Sequence, residues 1–461
     1  VRSSLLPAAL LTAVTLGSPA FSAVPMPGSQ PAVSASAPPA AEPPAPSEPP
    51  RGPALLELRE RPADSAFPEG ACSLREAVCV RSSRASDSAR AAALEHAEKA
   101  LFTLRALGLP APPLDGSRGG GPTLDIYLDP SASGPAAYRD VSLRAGGLDR
   151  DSAFGVLSPR QATWDCAGRA GVARVVAEAM TIGVDASLGE GERALVAGYL
   201  ATLVAPCPAL EAAAVDAFQR RPENALTSGE RGSLHGSFLF AKYLEDVWGL
   251  GQPGHLVASL VAIATQRSPS GPLLQNEPDV FDALRVTMRG LDKNLGDALL
   301  DFGVQRAFVG SRSDGVHLAD SAHYGDFGRV RFDWSVPFGT LPRRLAPLRP
   351  LSSTGMTYLW LDLAGAPGDA ELTFVFEWEL PCLFRWALVK VDEGGAELGR
   401  LSIPGLFGAT RVEQTVRDLA GVAGLVVVGV NVGDIDRTNP FDPDDAPFEP
   451  HAYEVTVFAG P

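Results

Sequence analysis

Glu371-Leu372-Thr373-Phe374-Val375-Phe376-Glu377-Trp378-Glu379-Leu380 alternates between two kinds of residue. Leu372, Phe374, Phe376, Trp378 and Leu380 share one face, and Glu371, Thr373, Val375, Glu377 and Glu379 share the other. A period of two is that of a strand with one buried face. Residues 357–363, 384–391, 425–431 and 453–458 behave similarly, and Glu393-Gly394-Gly395 supplies a turn. Strands at this spacing predict an antiparallel β-sandwich over residues 346–461. Upstream the period changes to 3.6. Residues 85–107 carry an alanine-rich stripe (Ala92, Ala93, Ala97, Ala100, Leu101, Leu104) that stops at Gly108. Segments near 169–184, 191–205, 208–220, 232–248, 254–267 and 291–308 have helical periodicity, broken at Pro206, Pro222, Gly249 and Pro253. Short strands are expected only at 124–128 and 154–157. The predicted fold class is α+β and multidomain, a mostly helical domain over 54–345 followed by the sandwich.

Outward from these domains, Arg2, an apolar run over 5–16 and the small residues Ala20 and Ser22 read as a signal peptide over 1–22. The run is too short to span a bilayer, and no later stretch is long enough. The expectation is an exported chain, periplasmic or extracellular, with no transmembrane segment once mature. Residues 23–53 are dominated by Pro, Ala and Ser and predict an extended, disordered tether. Five cysteines suit an oxidising compartment. Cys72 and Cys79 are close enough in sequence to close a small loop, Cys166 and Cys207 flank a helical pair, and Cys382 would be left over; spacing alone leaves the pairing open. The formal net charge is -15 with no basic block, which argues against nucleic acid or an anionic membrane as partner.

The chemistry turns on two segments, Arg174-Val175-Val176-Ala177-Glu178-Ala179-Met180-Thr181 and Ala197-Gly198-Tyr199-Leu200-Ala201-Thr202. They resemble the secreted bacterial zinc metallopeptidases of the gluzincin type, which carry H-E-x-x-H in one apolar helix and E-G-x-A-T in the next. The match runs over Glu178, Gly198, Ala201 and Thr202, and Gly236 to Phe240 with Tyr243, Leu244 and Gly249 resemble the helix that follows. The resemblance implies a metallopeptidase-like domain and places the zinc ligands at Ala177, Thr181 and Ala197. Zinc takes imidazole, thiolate or carboxylate donors, and two methyls and a hydroxyl do not provide them. Glu178 stands at the vestigial general-base position, but without a metal-bound water it has little to activate. The expectation is therefore a pseudopeptidase with no cofactor, which binds an unknown protein or peptide through a pocket bordered by Glu178, Gly198 and His235. In an antiparallel hairpin of the two helices, Thr181 lies near Ala194 and Ala177 near Ala197 and Gly198. Cys166 and Cys207 then meet at the open end, where a bridge contributes roughly 3–4 kcal/mol.

Plainer readings stand beside these. Glu178 is four residues after Arg174, the spacing of a helical ion pair. The histidines (His96, His235, His255, His317, His323, His451) form no i,i+4 pair. Asp434, Asp436, Asp442 and Asp444 offer oxygen donors for calcium, but the order is not that of an EF-hand, and a solvated loop is the simpler reading. Tyr358, Trp360, Trp378 and Trp386 fill a core more readily than a sugar-binding face. The rival functions are an active hydrolase built on Glu178 and His235, and a surface or polysaccharide-binding protein acting through the sandwich.

Overall fold

The computed structural model describes residues 59–460 apart from 145–148, 230–233, 266–277, 381, 406–407 and 434–449. The expected signal peptide, the tether and the calcium candidates Asp434, Asp436, Asp442 and Asp444 lie outside the described residues.

The described chain opens with a hairpin, β1 (Glu69–Cys72) against β2 (Val78–Ser82), in which Cys72 faces Cys79 and is bonded to it. Helix α1 (Asp87–Ala106) starts at Ser86, whose hydroxyl accepts from the Ala89 N–H at 3.1 Å, and gives way to Gly108 at φ 100°. Its buried face includes the predicted alanine-leucine stripe. Strands β3 (Leu124–Leu128), β4 (Ala136–Arg144) and β5 (Asp151–Leu157) complete a five-stranded sheet in the order β1-β2-β3-β5-β4, with β2, β3 and β5 parallel and β4 antiparallel on the edge. This sheet contains the two expected strands as β3 and β5 and adds β1, β2 and β4, which were not expected. β1 has no apolar face to announce it, being mostly exposed and held by the cystine instead.

Seven helical segments then follow among the described residues: α2 (Cys166–Val184), α3 (Glu190–Val204), α4 (Pro208–Gln219), α5 (Phe238–Trp248), α6 (His255–Ala264), α7 (Val280–Gly290) and α8 (Leu295–Ala307). Helix α2 lies against β5 at Gly155, where a Cβ would stand 2.2 Å from Val175 Cγ1, so only glycine admits the helix this closely. Helix α7 was not anticipated. Its signal is a capping box, with Asp279 accepting from the Asp282 N–H at 2.7 Å. The segment expected as a helix from 232 is a 3-10 turn, Leu234–Ser237, before α5 begins.

Cys166, the first residue of α2, is bonded to Cys207, the residue before α4, and Cys382 is free and buried. Replacing Cys166 and Cys207 together by alanine is expected to lower stability by about 3–4 kcal/mol, because the unfolded chain regains the entropy of a long loop. Thermal denaturation of the oxidised proteins checks this; an unchanged midpoint would show that packing alone holds the two helices.

The C-terminal part is a two-sheet sandwich. Strands β6 (Trp334–Pro337), β7 (Arg343–Leu345), β8 (Met356–Asp362), β9 (Leu372–Trp378), β10 (Phe384–Val391), β11 (Glu397–Ile403), β12 (Arg411–Val416), β13 (Gly424–Asn431) and β14 (Tyr453–Ala459) form sheets β11-β10-β13-β8-β6 and β12-β9-β14-β7. Two details differ from expectation. β6 and β7 precede the boundary read at 346, and β6 runs parallel to β8 in an otherwise antiparallel pair of sheets. Between the sheets lie Phe374, Phe376, Trp386, Tyr453 and Val455. Leu380 falls beyond β9 and is 67% exposed, so the alternating face ends at Trp378.

Residues 424–431 do not alternate in burial, because β13 is covered on both faces. Leu425 and Val427 enter the sandwich core, while Val426, Val428 and Val430 join Met356, Tyr358 and the helices in a second core. The Tyr358 hydroxyl donates to the Gly303 carbonyl of α8 at 3.0 Å. Helices and sandwich thus share packed surface. Among the described residues no helix is long and apolar enough to cross a membrane.

Candidate functional site

Ala177, Thr181 and Ala197, the positions at which the resemblance puts zinc ligands, are all fully buried in the α2–α3 packing. The Thr181 hydroxyl donates to the Ala177 carbonyl at 2.9 Å, the ordinary way a threonine satisfies itself inside a helix. These residues do not fit a zinc ion, since none supplies a nitrogen, sulfur or carboxylate donor. Among the described residues no group of three or more His, Cys, Asp or Glu side chains is placed to hold a metal.

Glu178 is buried and both of its oxygens are engaged. Oε2 accepts from the Ala137 N–H of β4 at 2.8 Å, and Oε1 accepts from Arg174 Nε at 2.8 Å. The helical ion pair is therefore present, and the carboxylate also ties α2 to the edge strand of the sheet. A group held in this way is a structural acceptor rather than a free base.

Beside this pair opens a pocket of about 270 Å³, walled by α2, α3, α4 and the turn before α5. Its lining includes Pro135, Arg174, Thr202, Cys207, His235 and Phe238. Gly198 of the second segment also lines it; a Cβ there would press on Phe238 Cβ at 3.3 Å. The structure thus brings Gly198 and His235 to one pocket, with Glu178 behind Arg174. His235 is exposed at the mouth of this pocket, not set in a helix core. Although the residue reaches solvent, protein against part of its ring, and then the nearby Arg174 guanidinium, lower its imidazole below the ordinary histidine value. At neutral pH it is a neutral donor and acceptor.

Sequence reasoning saw Arg174 only as a partner for Glu178. Its Nε is used there, but among the described residues Nη1 and Nη2 have no hydrogen-bond partner, and the side chain is 17% exposed. The other acid in the wall, Glu211, accepts from the Cys207 N–H at 2.8 Å. Apolar walls with one available guanidinium edge suit binding of an anion that carries an apolar group.

The aromatic candidates of the sandwich do not form a surface. Tyr358 and Trp386 are fully buried, Trp378 is buried, and Trp360 stacks on Phe332 at 6.4 Å. His317 is also removed from any pocket chemistry. It lies buried between Asp314 (2.9 Å) and Glu397 (2.8 Å), joining the segment after α8 to β11.

No protein-family model matches the chain, and no curated protein matches it. Among solved structures it is similar to the pre-peptidase C-terminal domain of a collagenase from Bacillus anthracis, at 10% identity over 28% of this chain and 96% of that one, with a TM-score of 0.18. It is also similar to the Yersinia pseudotuberculosis-derived mitogen, at 11% identity over 26% of this chain and 86% of that one, again with a TM-score of 0.18. Likenesses of that size leave the functional argument to the geometry of the chain's own pocket.

Proposed function

We propose that this chain is an exported, catalytically inactive relative of the gluzincin-type peptidases, which binds a peptide or protein segment in the pocket over α2 and α3. The observation that carries the reading is the state of Glu178: both oxygens are bonded, to Ala137 N–H and Arg174 Nε, beside ligand positions occupied by Ala177, Thr181 and Ala197. What a peptidase would use for hydrolysis serves here to hold α2 to β4, while the pocket beside it stays open. Two cystines fit an oxidising compartment.

The test pairs metal analysis with cleavage. After dialysis against trace zinc, the purified protein is expected to retain no stoichiometric zinc and to leave casein intact. Glu178→Gln is then expected to change no activity. It should lower the thermal midpoint, corresponding to about 1.5–3 kcal/mol, because Arg174 loses a charged hydrogen-bond partner. One zinc per chain together with Glu178-dependent cleavage of casein would overturn the reading.

A further inference from the structure

We infer that the pocket recognises the C-terminus of a peptide, with the terminal carboxylate on the Nη edge of Arg174 and an apolar last side chain between the walls. The inference rests on the peptide-binding reading above and gives it a ligand class. Three features of the site lead to it.

The first is the orientation of the guanidinium. Glu178 takes Nε at 2.8 Å and is itself fixed by the Ala137 N–H, so Arg174 is held in one pose before any ligand arrives. Nη1 and Nη2 have no partner among the described residues and belong to a side chain that lines the pocket. Two parallel N–H groups match the two oxygens of a carboxylate.

The second is charge. The lining residues that ionise are Arg174, His235 and Glu211. His235 is held neutral at pH 7 by its surroundings and by Arg174, and Glu211 is turned to the Cys207 N–H. Glu211 is thus occupied and His235 uncharged, and the ionised lining group with hydrogen-bond donors to spare among the described residues is Arg174, whose Nη edge suits an anion.

The third is size and polarity. A volume of about 270 Å³ bounded by Pro135, Leu210, Ala214 and Phe238 accommodates an aliphatic side chain. A C-terminal residue carries its carboxylate and its side chain on the same carbon, so both groups reach the site together. An acidic side chain within a peptide would put the charge at Arg174 but leave the apolar walls without a partner, which costs the contact area they offer.

The experiment is fluorescence polarisation with the full chain and three labelled probes: a peptide of four alanines ending in leucine with a free carboxylate, its C-terminal amide, and an amidated peptide ending in glutamate. The free acid is expected to bind about tenfold tighter than the leucine amide, the advantage of one charge-assisted pair. Arg174→Gln is expected to bring the acid down to the level of the amide. Glu178→Gln, which leaves Arg174 charged, is expected to keep the preference for the acid; this separates loss of the guanidinium from disturbance of the pair. Equal binding of acid and amide would refute recognition of the C-terminus while leaving a peptide-binding pocket in place. Stronger binding of the glutamate amide would refute it in favour of an acidic side chain. No binding of any probe would overturn both this inference and the function it rests on.

Discussion

Arg61→Met is expected to destabilise the protein by about 3–5 kcal/mol, the usual result of stripping a buried charge of its partner. Arg61 lies in the segment before β1 and reaches three buried carboxylates. Nε and Nη2 hold Asp140 in a two-pronged bond at 2.9 and 2.7 Å, and Nη1 donates to both Asp115 and Asp125 at 2.7 Å. Asp115, Asp125 and Asp140 are each at most 1% exposed. Burial already pushes the Asp125 carboxyl up to about 7 even though Arg61 opposes the rise. Methionine keeps most of the volume and removes the charge, so the deficit measures electrostatics rather than a cavity. Its pH dependence is distinctive. Without Arg61 the Asp115 and Asp125 carboxyls, already raised by burial, resist ionisation still more, so the variant's deficit shrinks as pH falls and protons are taken up. Thermal denaturation at pH 7.5 and pH 5 measures both effects. A small deficit that does not change with pH would show that Arg81, 3.3 Å from Asp125, and Arg118, 3.7 Å from Asp140, suffice.

Asp185→Asn is expected to act in the opposite sense and to stabilise. Asp185 follows α2 and is fully buried, and Oδ1 accepts from the Ser187 N–H at 3.0 Å and from the Ser187 hydroxyl. Oδ2 has no partner among the described residues. The groups that face it are acidic from three sides: Asp149 before β5, Asp279 at the start of α7 and, beyond Asp279, Glu192 of α3. Arg193 of α3 is the cation set against them, while Arg285 is paired with Asp282. Burial first, then Asp149 and Asp279, push the Asp185 carboxyl up to about 7. Burial and Glu192 likewise raise Asp279.

The sign follows from linkage. A carboxyl whose affinity for its proton is higher in the fold than in the unfolded chain makes the fold bind more protons, so its ionisation erodes stability as pH rises from about 4 to about 7. Asparagine cannot ionise and puts an amide donor where Oδ2 had no partner. The stability of Asp185→Asn relative to wild type should therefore grow by about 1.4 kcal/mol per pH unit across that window, roughly 3 kcal/mol from pH 5 to pH 7, and level off above pH 8. Taking the difference removes His96 and His235, which are held low and act in the other direction in both proteins. Denaturant titrations at pH 5, 6, 7 and 8 measure it. A difference that stays flat over this range would mean that Asp185 ionises normally in the fold.

The elements that could be read in advance are those whose period reaches the surface of one layer. Helix α1 buries one stripe and exposes the rest, so its alanines and leucines recur at helical spacing. β9 buries one face and shows Thr373 and Glu377 on the other, so its alternation is plain. β13 is a strand as expected, but helices cover its second face, so its valines are buried on both sides and do not alternate in exposure. β1 carries no apolar pattern because a cystine holds it. α7 carries two signals, a cap from Asp279 to Asp282 and a buried stripe of Val280, Leu284 and Met288 at helical spacing.

The site divides in the same way. Local spacing along one helix is enough to pair Arg174 with Glu178, and residue chemistry alone is enough to say that Ala177, Thr181 and Ala197 lack zinc donors. The two ends of the α2–α3 hairpin carry the cysteines that meet there. What no stretch of chain could announce is which partners arrive from elsewhere. Glu178 takes its second bond from Ala137, Arg61 crosses 79 residues to Asp140, and Asp185 meets Asp149 and Asp279 only after α2, β5 and α7 have packed. Short-range periodicity encodes secondary structure because neighbours in sequence are neighbours in a helix or strand. Charge environments and pockets are sums over distant segments at short range in a low-dielectric interior, so they exist only once the layers have closed.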